Sequence, residues 1–239
     1  MNAFGGAKNA STRISSTRAS STRGSSTRPA IKFCGLTQAQ DVANAVKLGV
    51  DAIGLVFYPP SPRAVTVEQA IKLIKAIPVF TTVVALVVNL SEQELVALAE
   101  QVPFDVIQFH GDESPLMCQQ MAKHVGKRWI KAIRVREEDD EVSILLKINE
   151  LYDHGASGVL LDLYHPDKFG GTGERFDWGK LPKNSPLPMI LAGGLTADNV
   201  AQTCELPIYG VDVSGGIESQ KGVKDLEKMM DFVKKLTGR

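Results

Sequence analysis

Eight short runs of β-branched and aliphatic residues recur along this chain, and nearly every one leads into a longer stretch with helical spacing of apolar residues. The runs are Ile31–Cys34, Ala52–Phe57, Thr82–Val88, Val106–His110, Trp129–Arg134, Gly158–Leu163, Met189–Ala192 and Ile208–Val213. The helical stretches are Gln38–Leu48, Val67–Ile77, Glu92–Gln101, Pro115–Val125, Glu138–Tyr152, Ala197–Cys204 and Val223–Leu236, with room for only a short helix at Asp177-Trp178-Gly179. Ser91 and Thr196 occupy N-cap positions, and Gly49 and Gly126 occupy C-terminal stops. Strands joined by helices must lie parallel with the helices outside. Eight such units close into a (β/α)8 TIM barrel of about 200–250 residues. An open doubly wound sheet is the rival, but no GxGxxG follows the first strand.

The barrel domain is expected over residues 31–239. Residues 1–30 read differently: Arg13, Arg18, Arg23 and Arg28 recur every five residues in a Ser/Thr-rich setting without acids. A period of five matches neither helix nor strand, so a disordered tail is expected. An organelle-targeting peptide is the second reading, with the cytoplasm as the first expectation. The tail carries one Lys and four Arg, and residues 31–239 carry 22 basic and 27 acidic residues. An acidic globular part argues against a nucleic-acid partner. No apolar run approaches the roughly 18 residues of a membrane span. Three scattered cysteines fit neither a disulfide framework nor a CxxC zinc site. A monomer is expected, with a homodimer as the alternative.

Chemistry in such barrels sits at the C-terminal ends of the strands. Those positions hold Cys34, the Tyr58–Arg63 loop, Asn89, His110, Arg134, Asp162, Gly193-Gly194 and Asp212–Gly216. Alternation puts Lys32 on the face of Cys34, Gln108 with His110, Leu160 with Asp162, and Asp212 with Ser214. If Cys34 faces the barrel mouth, Lys32 lies one layer deeper and needs a partner, for which Asp212 and Gln108 are the candidates. A nearby ammonium favours the thiolate, so a lowered Cys34 pKa is expected. Three prolines stiffen the approach to Arg63, whose planar fork suits a carboxylate. Glycines after strands seven and eight (Gly193, Gly194, Gly215, with Ser214) let backbone amides approach an anion, as phosphate sites in barrels do. Gly170-Gly171-Thr172-Gly173 lacks the P-loop order and fits a lid or a supplementary phosphate contact. Cys118 and Cys204 default to structural thiols. The acidic run from Arg136 to Glu141 reads as a solvated helix start.

These pieces, in order, resemble one family: Lys32-Phe33-Cys34-Gly35-Leu36-Thr37, Ser61-Pro62-Arg63, Gln108-Phe109-His110-Gly111, Leu161-Asp162, Leu191-Ala192-Gly193-Gly194 and Asp212-Val213-Ser214-Gly215-Gly216-Ile217-Glu218 are similar to phosphoribosylanthranilate isomerase of tryptophan biosynthesis. Phe33 departs from the family's usual Ile and is expected to change packing only. The resemblance implies an Amadori rearrangement without metal, flavin or nicotinamide. It implies Cys34 as general base and Asp162 as general acid, the latter needing a raised pKa. It further implies Arg63 on the anthranilate carboxylate and His110 as a substrate contact, while Asp212 reads as a structural partner or a substrate hydroxyl contact. Another aminoaldose-phosphate isomerase on this fold (histidine-pathway or dual-specificity) is the first alternative, although that family places Asp where this chain has Cys34. A non-catalytic phosphosugar-binding protein is the second, and it would be expected to have lost Cys34 or Asp162.

Overall fold

The computed structural model describes residues 28–162 and 178–238. The readings made on residues 1–27 and on Gly170–Gly173 lie outside the described residues. Eight parallel strands close a barrel in sequence order: β1 (Ala30–Cys34), β2 (Ala52–Phe57), β3 (Thr82–Val87), β4 (Val106–Phe109), β5 (Arg128–Arg134), β6 (Gly158–Asp162), β7 (Met189–Ala192) and β8 (Gly210–Val213). Helices α1 (Ala39–Lys47), α2 (Val67–Ile74), α3 (Glu92–Gln101), α4 (Pro115–His124) and α5 (Glu141–Asp153) follow the first five strands, and α6 (Leu226–Thr237) ends the chain. The ring closes where β1 pairs with β8, Lys32 standing beside Asp212.

Local chemistry accounts for the helix limits. Ser91 accepts from Glu94 N while Glu94 reaches back to Ser91 N, a reciprocal cap on α3. Asp140 and Ser143 do the same for α5. The acidic run before α5 is therefore less solvated than its composition implies. Asp139 is buried, accepting from Arg136 N at 2.8 Å and from Lys147 Nζ at 2.7 Å. Gly49 and Gly126 follow α1 and α4 with φ of +71° and +66°, the left-handed stops their positions imply.

Two segments differ from the periodicity. The stretch expected as a helix over 197–204 is a 3-10 helix at Val200–Glu205. Asn199 bonds both Thr196 N and Gly194 O, and Pro207 follows closely, so little length remains for an α-helix. The segment expected as one helix from Val223 instead opens as a strand. Residues β9 (Glu218–Gln220) and β10 (Val223–Lys224) form a small antiparallel hairpin before α6 begins. A 3-10 turn at Trp178–Lys180 matches the short helix expected there.

The main core lies between the outer strand faces and the helices. Phe33 is fully buried there, edge-on to Phe232 of α6 at 6.0 Å, so the departure at that position is absorbed by packing. Each such buried side chain contributes about 1.5–3 kcal/mol. Inside the barrel, small residues at the N-terminal pole (Ala30, Ala52, Gly158, Gly210) leave a cavity of about 340 Å³. Beside that pole, in the loop leading into β3, Val79 and Phe80 are 90% and 97% exposed.

Cys118 is buried on the inner face of α4, and burial pushes its thiol up to about 12. A thiol whose folded pKa exceeds its unfolded value loses its contribution to stability as pH rises above about 8.5. Cys118→Ala should therefore be less stable than wild type by about 1–2 kcal/mol at pH 7. The gap should narrow between pH 8.5 and 10, by up to about 1.4 kcal/mol per pH unit. Urea unfolding at the two ends of that range measures it, and a gap that stays constant contradicts the account.

Candidate active site

The barrel mouth is built around a buried ammonium. Lys32 points inward from β1 and donates to Asp212 Oδ1 at 2.9 Å, both side chains being buried. Its ammonium and the Cys34 thiol crowd the same spot against Gly54 and act on one another electrostatically. Burial opposes the charge on Lys32, but Asp212 and Cys34 together outweigh it and hold the ammonium above its ordinary pKa. Gly54 on the adjacent strand makes this crowding tolerable. A Cβ there would sit 2.8 Å from Cys34 Sγ and 3.0 Å from Lys32 Nζ. Of the two partners expected for Lys32, Asp212 is the one that binds it. Gln108 turns elsewhere.

Cys34 is 5% exposed and packs with Val56, Leu86 and Val88 in a small apolar cluster inside the barrel. Its pKa is raised, against the expectation from sequence. Burial is the largest cause; Lys32 pulls the other way, but its charge is shared with Asp212, which itself opposes a thiolate. The sequence reveals the cation but not the desolvation.

Asp162 ends β6, and His110 follows β4. His110 Nε2 lies 3.5 Å from Asp162 Oδ2. These strands are not neighbours, so the contact passes over β5 within the mouth, which Cys34 also faces. Gln108 Nε2 donates to His110 Nδ1 at 3.0 Å. Gln108 thus orients the His110 ring beside Asp162. Its own Oε1 is buried and meets no partner among the described residues.

Arg63 reaches the mouth over Gly35, where a Cβ would lie 2.5 Å from Arg63 Cδ. Its Nε and Nη2 donate to Glu218 Oε1 and Oε2, each at 2.7 Å. Lys224, fully buried, donates to Glu218 Oε1 at 2.8 Å and to Ser214 O at 3.1 Å. Despite the burial, the Arg63 and Lys224 hydrogen bonds hold the Glu218 carboxyl below its usual range. Burial is also the largest influence on Lys224 and lowers its pKa. Lys224 was missed by sequence reasoning because it lies ten residues beyond Ser214 in a segment that mimics a helix; Glu218 appeared in the motif but without a role.

The glycines after β7 and β8 are brought together. Gly193 and Gly194 have φ of +89° and +64°. A Cβ on Gly216 would lie 1.9 Å from Leu195 O, so only glycine lets the two loops touch. The Ser214 hydroxyl donates to Cys34 O at 3.0 Å, which leaves backbone amides as the donors these loops offer an anion.

Comparison with known proteins agrees with this layout. Residues 31–235 match the family model described as N-(5'phosphoribosyl)anthranilate (PRA) isomerase. The isomerase of that name from Acinetobacter calcoaceticus is 47% identical over 203 residues, covering 84% of this chain and 93% of the relative. The phosphoribosyl anthranilate isomerase of Thermotoga maritima superposes with TM-score 0.77 at 32% identity, covering 88% of this chain and all of the other. A structure of monomers generated from the dimeric enzyme of that organism superposes at 0.69 with 26% identity, with the same coverage. A phosphoribosyl anthranilate isomerase in complex with reduced 1-(o-carboxyphenylamino)-1-deoxyribulose 5-phosphate superposes at 0.71 with 28% identity, covering 88% and 100%. With the match spanning the whole barrel, this chain belongs to the N-(5'-phosphoribosyl)anthranilate isomerase family.

Proposed function

We propose that Cys34 and Asp162 carry the acid–base chemistry of N-(5-phosphoribosyl)anthranilate isomerisation in this chain. The reaction converts an aminoaldose to an aminoketose, 1-(2-carboxyphenylamino)-1-deoxyribulose 5-phosphate, within tryptophan biosynthesis. The observation that carries the assignment is the placement of a thiol and a carboxyl on non-adjacent strands of one ring, both directed into its mouth. Asp162 protonates the furanose ring oxygen, and the C1–O bond opens to a Schiff base. Cys34 takes the C2 proton, and the electron pair moves toward the iminium nitrogen to give an enolamine, which tautomerises to the ketone. Arg63 binds the aryl carboxylate, and the amides of Gly193, Gly194 and Gly215, beside Ser214, cradle the phosphate. His110 and Asp212 line the sugar between them. The bacterial relatives support a cytoplasmic location.

Loss of phosphoribosylanthranilate fluorescence provides the assay. Cys34→Ser and Asp162→Asn should each lower kcat by about 10²–10⁴-fold with little change in product affinity. Either variant turning over like wild type removes its residue from the mechanism. Arg63→Ala should weaken binding through the aryl carboxylate more than through the phosphate. Because burial raises the Cys34 pKa, the thiolate fraction should still be growing above the ordinary thiol range of about 8.5. Lys32→Met removes the group that opposes this rise and leaves Asp212 unneutralised, so the pKa should climb further. Thiolate absorbance at 240 nm, taken as the difference from Cys34→Ser, measures both, and an unchanged value in Lys32→Met rejects the coupling.

For assembly, one surface feature favours a homodimer over the monomer expected first. Phe80, nearly fully exposed, stands two residues before Thr82, which lines the 340 Å³ cavity at the same pole. A dry apolar cavity of about 150 Å³ accepts benzene, so this one has room for a phenyl ring. A two-fold axis would seat each Phe80 in the other copy's cavity, burying roughly 150–250 Å² per ring. Analytical ultracentrifugation should find a dimer, and Phe80→Glu should yield monomers with undiminished turnover per chain. A monomeric wild-type protein at about 10 μM overturns the assembly without touching the chemistry.

A further inference from the structure

Arginine presents two edges to a carboxylate, one from Nε and a terminal nitrogen, the other from the two terminal nitrogens. In Arg63 the first edge is taken, Nε and Nη2 both bonded to Glu218. No acceptor meets Nη1 among the described residues. We infer that Glu218 is a positioning residue: it grips one edge of Arg63 so that the other faces the aryl carboxylate of the substrate. This inference rests on the reading of Arg63 as the carboxylate anchor.

The framework behind Glu218 argues that it is a fixed clamp and not a stand-in for the substrate's carboxylate. Its side chain is buried and cross-linked by Lys224, while Lys228 Nζ donates to its backbone oxygen at 2.7 Å. Lys224 is itself pinned, its amide donating to Asp41 Oδ2 at 3.1 Å and its ammonium to Ser214. The hairpin that carries both residues is tied to the loop after β1 through Thr37 Oγ1, which donates to Gly222 O at 2.7 Å. Gly222 also approaches the loop that bears Arg63, where its Cβ would lie 2.7 Å from Pro62 O. A carboxylate held from so many sides cannot swing aside for an incoming anion. Arg63 remains a quarter exposed, open on the side that Glu218 does not cover. The clamp also joins two subsites, because Ser214 ends the same chain of contacts at the phosphate loop.

The test uses two probes: reduced 1-(o-carboxyphenylamino)-1-deoxyribulose 5-phosphate and its counterpart lacking the aryl carboxylate. Glu218→Ala should weaken the first by about tenfold and the second by less than about twofold, with KM rising and kcat nearly constant. Glu218→Gln, which keeps an oxygen acceptor and the side-chain shape, should show a smaller shift in the same direction and covers the case of an unstable alanine variant. In an Arg63→Ala background, Glu218→Ala should add nothing. Tighter binding of the first probe would identify Glu218 as a competitor, and equal weakening of both would identify a structural prop; either overturns the inference. The anchor reading fails separately, if Arg63→Ala alone weakens both probes equally.

Discussion

The barrel seam is closed by an ion pair. Lys32 on the first strand and Asp212 on the eighth are register neighbours, and both are removed from water. Such a pair brings little net stability, because desolvation consumes most of the attraction, yet deleting one partner strands a buried charge at about 3–5 kcal/mol. An apolar pair would close the ring equally well. What the ionic pair adds is a cation held at fixed depth beneath Cys34, with Gly54 supplying the space for both.

Charge at the mouth follows from this seam and from the hairpin beyond β8. Three cations (Lys32, Arg63, Lys224) stand near Cys34 against two carboxylates (Asp212, Glu218). On the Cys34 side of the mouth, leaving aside Asp162 and His110 on the other, the cations outnumber the carboxylates by one. This surplus suits a substrate bearing a carboxylate and a phosphate, and it suits a transient thiolate. The free site nevertheless keeps the thiol protonated, since burial dominates. On the proposed mechanism, the proton balance of Cys34 is therefore settled by competition between desolvation and these fixed charges, without help from a lowered pKa.

The sequence made the ring legible through its strand count, and the strand parity placed Lys32 inside it in need of a partner, with Asp212 among the two candidates. Parity could not choose between Asp212 and Gln108, because that choice depends on how the ring closes and on His110 capturing the amide. The pKa direction at Cys34 escaped for a related reason: a neighbouring Lys is visible in the chain, whereas the loss of water is not. Lys224 and the hairpin were hidden by an apolar spacing that continues smoothly into α6. The 3-10 turn after β7 was hidden by the side chain of Asn199, whose bonds to Thr196 and Gly194 replace those a longer helix would make.

Lys32 and Asp212 lie 180 residues apart, and Arg63 and Glu218 lie 155 apart. Each is a joint between an early-made and a late-made part of the polypeptide. A ribosome emitting about 5–20 residues per second exposes the first strand many seconds before its electrostatic counterpart emerges. Until then the incipient half-barrel carries an ammonium that no interior can accept, and its β1 edge is unpaired. Until Asp212 is made, burying that edge against anything else would leave the Lys32 charge without its partner, at the cost of an unpaired buried ion.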